Sequence, residues 1–274
     1  MRSITLAALL LTLPLAAAAQ EPGPMQPEPS LAAAAAAPGR SPANLLRDKY
    51  RHPVETLAFF GIKPNHTVVE IWPGGGWYTE ILAPYLAAGG GTLLLAAPSW
   101  GRSGIDKLKV ADPALYGKLP VGEFPVFDGK AAEIPEGGAD AVVTFRNVHN
   151  WRMGYRRDDK KDYALDAFRQ IFAMLKPGGV LGIEDHRLPE SADAGRELKS
   201  GYIKVSTVRS LAEQAGFQFA GSSEINANSK DSADWPDGVW TLPPSLRLGD
   251  KDREKYLAIG ESDRMTLKFV KPAS

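Results

Sequence analysis

Residues 68–82 read VVEIWPGGGWYTEIL, and this stretch decides the fold. Val68 to Trp72 form an apolar run of strand length, three glycines interrupt the run, and Trp77 to Leu86 have the pattern of a helix. Consecutive glycines between a strand and a helix allow positive φ angles and a close approach of the backbone to a ligand. The helix that follows presents free N–H groups and the positive end of its dipole. The stretch therefore predicts a strand, a ligand-binding turn at Glu70–Gly76 and a helix.

The alternation of strands and helices continues downstream and predicts seven strands. Each predicted strand is a short apolar run bounded by turn-forming or polar residues, and together they cover residues 68–72, 92–96, 124–127, 139–145, 180–183, 217–225 and 265–270. Helical patterns separate most of them, at residues 77–86, 105–119, 162–175 and 206–215. Apolar strands that alternate with helices predict an α/β, Rossmann-like, doubly wound and mostly parallel seven-stranded sheet with helices on both faces.

The first twenty residues have the pattern of a secretory signal peptide. Arg2 supplies a positive charge, Ile4–Leu15 is apolar, and Ala17–Ala19 offers small residues for cleavage next to Gln20. The apolar run is shorter than the roughly 20 residues that a membrane-spanning helix needs, so we expect no stable membrane insertion after cleavage. The sequence therefore predicts a signal peptide over residues 1–20 and an exported, periplasmic protein.

Composition indicates where the folded domain begins and which partners and chemistries are excluded. Residues 21–42 are rich in Pro and Ala and predict a disordered tether, which leaves residues 43–274 as the folded domain. The 32 Lys and Arg balance the 32 Asp and Glu without a basic cluster, so we expect no nucleic-acid partner. The chain has no cysteine, which excludes thiol catalysis and thiolate metal ligands. No feature of the sequence predicts the oligomeric state.

Polar residues follow four of the predicted strands, and the carboxyl ends of strands are where ligands bind in an open α/β sheet. These residues lie at Glu70–Gly76, Asp128, Asn147–Trp151 and Glu184–His186. The segment after the fourth strand, through Asn147, His149 and Asn150, is predicted to be a polar loop. A dinucleotide fingerprint is not met, because Thr79 stands where its third Gly or Ala belongs and the second strand ends without an acid. The phosphate-binding pattern G-x-x-x-x-G-K-[ST] is absent as well. NAD and ATP are therefore disfavoured as ligands.

The sequence resembles the class I S-adenosylmethionine-dependent methyltransferases over roughly Val54 to Val270, and within them an exported branch of predicted methyltransferases. The motifs that carry the resemblance are VVEIWPGGGWYT at 68–79, FDG at 127–129, ADAVVTFRNVHNW at 139–151 and LKPGGVLGIEDH at 175–186. The resemblance implies S-adenosylmethionine as the cofactor and methyl transfer to a small-molecule substrate.

The resemblance also implies cofactor-binding residues, namely Glu70, Gly74, Gly75, Gly76, Asp128 and Asn147. Glu70 matches the acid that orders the glycine turn or binds the methionine ammonium group, and Gly74 and Gly76 match positions whose backbone lies against the cofactor. Asp128 matches the residue that accepts a hydrogen bond from the adenine amino group. Asn147 stands where the end of the fourth strand closes over the methionine moiety.

One departure from the family concerns the ribose. Family members carry an acidic residue at the end of the second strand, where this chain has Ala96, Ala97 and Ser99. This departure has three possible explanations. Either another residue binds the ribose, or cofactor binding is weak, or the pocket serves a different ligand.

Methyl transfer requires that the protein positions a nucleophile and, where needed, removes its proton. The candidate catalytic residues at the rim are His149, Asp185 and His186. The same residues suit a metal-dependent hydrolase with a two-His-one-carboxylate site, but no H-x-H or H-x-x-x-H pair supports one, and we assign no metal ligand. A further alternative is an exported, non-catalytic small-molecule-binding protein of the same fold.

Aromatic side chains gather near the same rim in the sequence. They are Trp72, Trp77, Tyr78, Trp100 and Trp151, which either line a ligand pocket or fill the core. A Pro- and Trp-containing insert at residues 235–240 precedes the last strand and is expected to lie over the acceptor side.

Overall fold

The structure, a computed structural model, describes residues 29–127, 130 and 132–273. Its strands are β1 (Thr67–Ile71), β2 (Thr92–Ala96), β3 (Val121–Gly122), β4 (Ala139–Phe145), β5 (Leu175–His186), β6 (Gln218–Ser223) and β7 (Arg264–Val270). They form one sheet of order β3-β2-β1-β4-β5-β7-β6. Strands β1 to β5 pair in parallel, and β7 runs antiparallel to both of its neighbours. The strand order reverses between β1 and β4, and this is the switch point where ligands bind in such folds.

Helices cover both faces of the sheet. They are α1 (Leu31–Ala35), α2 (Pro42–Leu45), α3 (Asp48–Arg51), α4 (Pro53–Phe60), α5 (Thr79–Ala88), α6 (Ser103–Ala111), α7 (Pro113–Tyr116), α8 (Val148–Arg152), α9 (Ala164–Met174), α10 (Val205–Gln214) and α11 (Arg253–Ile259). Val69 and Ile71 of β1 pack in one core with α9 and α10, whereas Val68 packs in a second core with α4 and α5. This alternation follows the period of two along a strand. The predicted doubly wound, mostly parallel α/β sheet is confirmed.

No helix in the described part of the chain is long and apolar enough to cross a membrane. The predicted signal peptide over residues 1–20 lies outside the described residues. The first eight residues of the predicted tether, 21–28, lie outside them as well.

The prediction that the tether extends to residue 42 is wrong for its described part. Helix α1 buries Ala34 and Ala35 in the core that contains α4 and α5. Arg40 is also buried, and its guanidinium forms two hydrogen bonds with Asp48, at 2.6 and 2.9 Å. Small alanine side chains allow α1 to pack closely, although the same composition is typical of a low-complexity linker. The folded domain therefore begins near Leu31.

Two local predictions are also wrong. The third strand is Val121–Gly122 and not residues 124–127, because Leu95 and Ala96 of β2 pair with Val121 and Gly122. Pro125 follows shortly after and has no N–H to extend that ladder. The segment after β4, expected as a polar loop, forms the short helix α8. Strands β2 and β4 have the bounds that the sequence predicts.

Candidate functional site

The glycine turn joins the end of β1 to α5 next to the switch point. Gly74 and Gly76 have φ angles of 59° and 81°. Gly74 and Gly75 are exposed, and a Cβ atom at either would meet open space. At Gly76 a Cβ atom would lie 2.2 Å from Cδ1 of Leu108 on α6. Gly74 and Gly75 therefore leave the backbone accessible to a ligand, whereas Gly76 allows α6 to pack against the turn.

Two buried polar side chains hold this turn in place. Thr79 Oγ1 donates a hydrogen bond to Glu70 Oε2 at 2.7 Å, which ties the end of β1 to the first turn of α5. Burial raises the pKa of Glu70 to about 7. The Asn147 amide donates to the carbonyl oxygen of Ile71 at 3.0 Å and to Thr144 Oγ1 at 3.1 Å. Asn147 thus joins β4 to β1, and Glu70 and Asn147 both support the turn from within the protein.

A cavity of about 430 Å³ opens beyond the carboxyl ends of β1, β2 and β3. We call it the aromatic cavity after the rings that line it, which are Trp72, Trp100, Phe127, Tyr155 and Tyr163. Trp72 Nε1 donates a hydrogen bond to the carbonyl oxygen of Phe124 at 2.9 Å, and the Trp72 and Trp100 rings meet edge to face at 5.3 Å. Asp128, the predicted adenine partner, lies outside the described residues.

The remaining predicted aromatic residues do not line this cavity. Tyr78 is buried and stacks on Phe145 with ring centroids 3.4 Å apart. Trp77 Nε1 donates a hydrogen bond to the carbonyl oxygen of Asn44 at 3.1 Å. Trp151 is fully buried in the core beneath Trp72. The five aromatic residues are therefore divided between the cavity and the core.

Glu123 places a carboxylate at the end of β2, where the sequence lacks an acid. It follows β3, lines the aromatic cavity and is 30% exposed. Its Oε2 atom accepts hydrogen bonds from the backbone N–H of Ser99 at 3.0 Å and from Arg102 Nη2 at 3.0 Å. The sequence does not identify this residue, because its apolar pattern predicts β3 at residues 124–127 and leaves Glu123 in the turn before that strand.

A second cavity, of about 300 Å³, opens beyond the ends of β4 and β5. We call it the arginine cavity. The charged and aromatic side chains that line it include Arg47, Arg51, Arg146, His149, His186 and Trp240. Trp240 belongs to the insert at residues 235–240 that precedes β7, so this insert lies near the ends of β4 and β5. The aromatic and arginine cavities lie on opposite sides of the switch point.

His149 and Asp185 form a buried pair in the arginine cavity. Nδ1 of His149 lies 2.7 Å from Oδ1 of Asp185, and the backbone N–H of His149 donates to Oδ2 at 3.1 Å. The backbone N–H of His186 donates to Oδ1 at 2.7 Å. Because an ionised carboxylate only accepts hydrogen bonds, Nδ1 of His149 carries the proton and Nε2 keeps its lone pair. This arrangement is that of a general base oriented by a carboxylate.

His186 lies beside this pair. Its ring centroid is 5.0 Å from that of His149, and its Nδ1 lies 2.6 Å from Ser262 Oγ. Burial and the adjacent His149 and Arg146 hold the pKa of His186 well below its ordinary value, so the ring is neutral at pH 7. The structure thus brings together all three residues that the sequence proposes as catalytic.

The same three residues each offer one metal-ligating atom, and these atoms lie within 4.8 Å of one another. Both oxygens of Asp185 already accept hydrogen bonds, from two N–H groups of His149 and one of His186. These hydrogen bonds use about three of the four acceptor positions of the carboxylate, which leaves little room for a metal ion. The geometry favours an Asp–His pair over a two-His-one-carboxylate centre.

Sequence reasoning missed the arginines of this cavity. Nε of Arg47 and Nε of Arg51 donate to the two oxygens of Glu261, at 2.7 and 3.1 Å. Behind them Arg264 and Arg146 pair with Glu184 at 3.0 and 3.3 Å. Burial, followed by the charge of Arg146, lowers the pKa of Arg51 to about 9. The four-residue spacing of Arg47 and Arg51 is a helical one and was the only local signal of a shared face.

Comparisons with known proteins support the fold. No protein-family model matches the chain, and no curated protein matches its sequence. Among solved structures, a SAM-dependent methyltransferase from Aquifex aeolicus has a TM-score of 0.52 at 15% identity and covers 84% of this chain and 94% of its own. A putative sarcosine dimethylglycine methyltransferase from Galdieria sulphuraria has a TM-score of 0.54 at 13% identity and covers 82% and 87%.

A third similar structure is the [4+2]-cyclase SpnF, with a TM-score of 0.54 at 15% identity and coverage of 85% of this chain and 82% of its own. At such low identities the similarity establishes the fold alone. The chain has the fold of the SAM-dependent methyltransferases, and that fold also carries a cyclase, so activity has to be argued from the site.

Proposed function

With a methyltransferase fold as the premise, we propose that the chain binds S-adenosylmethionine in the aromatic cavity and methylates a small molecule held in the arginine cavity. The observation that carries the proposal is the pair of cavities on either side of the switch point. The aromatic cavity lies at the end of β1, where Trp72 precedes the glycine turn. The arginine cavity contains the oriented base His149. A methyl donor and its acceptor require two such adjoining sites.

The residues of the aromatic cavity suit the cofactor chemically. S-adenosylmethionine supplies a methyl group that is already activated on a sulfonium. The Trp72 and Trp100 rings offer apolar faces for adenine. Glu123 offers a carboxylate for the ribose hydroxyls, in place of the acid that β2 lacks. The exposed backbone of Gly74 and Gly75 permits close approach beside the turn.

His149 is the proposed base. Asp185 fixes the imidazole with Nδ1 protonated, which leaves Nε2 to take a proton from a hydroxyl or amine of the acceptor. The negative charge of Asp185 then stabilises the imidazolium that forms. His186 is neutral and its Nδ1 atom shares a hydrogen bond with Ser262 Oγ. Its ring forms part of the cavity wall beside His149.

Calorimetry with S-adenosylhomocysteine, which lacks the reactive methyl group, tests cofactor binding. We expect saturable binding by the wild-type chain and about tenfold weaker binding by Glu123→Gln, because a charged hydrogen-bond acceptor is lost. Glu254→Gln is the matched control, since Glu254 is an exposed residue of α11 and lines neither cavity. Absence of binding at millimolar concentration would refute the proposal.

A non-catalytic binding protein is the second candidate, and the bare end of β2 at Ala96 favours it. That candidate predicts no affinity for S-adenosylhomocysteine. A metal-dependent hydrolase is the third, favoured by the cluster of His149, Asp185 and His186. It predicts tight binding of Zn²⁺ that is lost in His149→Ala, which calorimetry with the ion alone measures. The signal-peptide pattern supports export in each case.

A further inference from the structure

We propose that the arginine cavity binds the oxyanion of a small molecule that also has an apolar body, so that the acceptor of the proposed reaction is a carboxylate or a phosphate ester. The identification of this anion as the methyl acceptor rests on the proposed function. The anion site itself follows from the charges and contacts of the cavity.

The first observation is the balance of charge. Four guanidinium groups, those of Arg47, Arg51, Arg146 and Arg264, belong to one network at the cavity. Three buried carboxylates share this region, namely Glu184, Glu261 and Asp185. A fourth buried carboxyl, that of Glu70, also interacts with Arg146, and burial raises its pKa to about 7. While Glu70 is protonated, at least one positive charge of the network stays uncompensated, whichever protonation state His149 adopts. A bound anion would compensate it.

The second observation is an arginine nitrogen without a partner. Arg47 donates from Nε to Glu261, whereas its Nη2 atom is buried and has no hydrogen-bond acceptor among the described residues. A buried polar group without a partner is unfavourable. Arg47 lines the cavity, and an oxyanion seated beside it supplies the acceptor that Nη2 lacks.

The third observation is the backbone of Arg146. This residue has a φ of 63°, a left-handed conformation that is uncommon for a side chain other than Gly, Asn or Asp. Its N–H donates to the carbonyl oxygen of Glu184 at 2.7 Å, which holds the conformation at the end of β4. Its side chain lines the cavity and is only 21% exposed. The strained backbone of Arg146 thus places a guanidinium in the arginine cavity.

The other walls define the body of the ligand. Trp240 and Val239, together with Pro243 and Pro244, add apolar surface to the charged cavity. The Arg247 guanidinium lies over the Trp240 ring, 4.5 Å from its centroid, and this contact helps to hold the ring in place. A cavity of about 300 Å³ accommodates a ring or short chain beside one oxyanion group. The His149 ring lies in the same cavity, with its centroid 6.5 Å from that of Trp240, within reach of a nucleophile on the body.

Calorimetry with simple probes tests the inference. Benzoate and phenyl phosphate carry an oxyanion on an apolar ring, and benzamide is the neutral counterpart of benzoate. We expect at least one of the two anions to bind about tenfold to a hundredfold more tightly than benzamide, and its affinity to fall as salt increases. Comparison of the two anions distinguishes a carboxylate site from a phosphate site. Binding of benzamide as tight as that of both anions, or no anion binding at millimolar concentration, would overturn the inference.

The variant Arg146→Gln tests whether the anion binds in the arginine cavity. We expect the variant to lose about tenfold in affinity for the anion that binds and to keep its affinity for S-adenosylhomocysteine. Arg169→Gln, at an exposed arginine of α9, is the matched control. If Arg146→Gln does not fold, Arg47→Gln at the rim replaces it, because Arg47 is 25% exposed. An unchanged affinity in a folded variant would place the anion elsewhere. Anion binding without cofactor binding would refute the methyltransferase proposal alone.

Discussion

His149 and Asp185 are 36 positions apart in the chain, yet Nδ1 of His149 lies 2.7 Å from Oδ1 of Asp185. The parallel pairing of β4 with β5 brings the two strand ends together. Helix α8 then directs the backbone N–H and the ring of His149 towards the carboxylate. The contact creates an oriented base from two residues that have no local relationship in the sequence.

Substitution of Asp185 tests the role of this contact. In Asp185→Asn the amide no longer fixes Nδ1 as the protonated nitrogen, so we expect His149 to lose its single tautomer. Nitrogen-15 NMR of the imidazole would show this as a change in the Nδ1 and Nε2 shifts. Because Asp185 is fully buried and accepts three hydrogen bonds, the free energy of unfolding should fall by about 1–3 kcal/mol.

Asp166→Asn is the control for Asp185→Asn, since Asp166 is exposed on α9. It should leave the His149 signals and the stability unchanged. A wild-type tautomer that persists in Asp185→Asn would show that Asp185 does not position the base.

Glu70 makes stability depend on pH. Its pKa is raised by burial from 4.5 to about 7 on folding, so the folded chain binds this proton more tightly than the unfolded chain. The contribution of Glu70 to stability is fully present below pH 4.5 and is lost as the pH rises through 7. A shift of this size corresponds to roughly 3 kcal/mol.

Urea unfolding of the wild type and Glu70→Gln at about pH 5 and about pH 8 measures this contribution. Relative to the variant, the wild-type chain should lose stability at the higher pH. Glu254→Gln, at an exposed residue of α11, should follow the wild type. A constant difference between wild type and Glu70→Gln at both pH values would contradict a raised pKa.

Two adjacent glycines should respond differently to alanine. Gly76→Ala places a Cβ atom 2.2 Å from Leu108 at a φ of 81°, so we expect a loss of at least about 1 kcal/mol in the free energy of unfolding. At Gly75 the space is open, so Gly75→Ala should keep its stability and weaken the binding of S-adenosylhomocysteine. Equal stability of the two variants would be inconsistent with the packing of α6 on the turn.

The signal-peptide pattern of residues 1–20 predicts export and cleavage. Expressed with its full sequence in a bacterium, the chain should be recovered from the periplasm with a new N-terminus next to Gln20, because Ile4–Leu15 and Ala17–Ala19 fit a cleaved signal. Mass spectrometry of the intact protein measures the cleavage. Arg substitution of Leu9 and Leu10 should retain the precursor in the cytoplasm. Recovery of the uncleaved chain from the cytoplasm would count against export.

The fold could be predicted from the sequence because its central strands are apolar runs with helical patterns between most of them. Strands β2 and β4 have the predicted bounds, since turn residues delimit each apolar run. Strand β3 could not be located, because only Val121 and Gly122 pair with β2. A two-residue strand has no periodicity of its own.

The candidate site was predictable only where it follows the strands. His149 and His186 come directly after β4 and at the end of β5, so their proximity follows from the sheet. Neighbours in an extended strand point to opposite faces, so Asp185 and His186 diverge, and Asp185 meets His149 because α8 packs on its side of β5. Arg47 contacts Glu261 across 214 positions, and no local pattern encodes such a pair.

A crystal structure of the chain with S-adenosylhomocysteine tests the central claim most directly. We predict adenosine density in the aromatic cavity, with the ribose hydroxyls at hydrogen-bonding distance from Glu123 and the methionine portion beside Gly74. The sulfur should face the arginine cavity and His149. Density in the arginine cavity alone, or a fully occupied ligand at another surface, would contradict the claim.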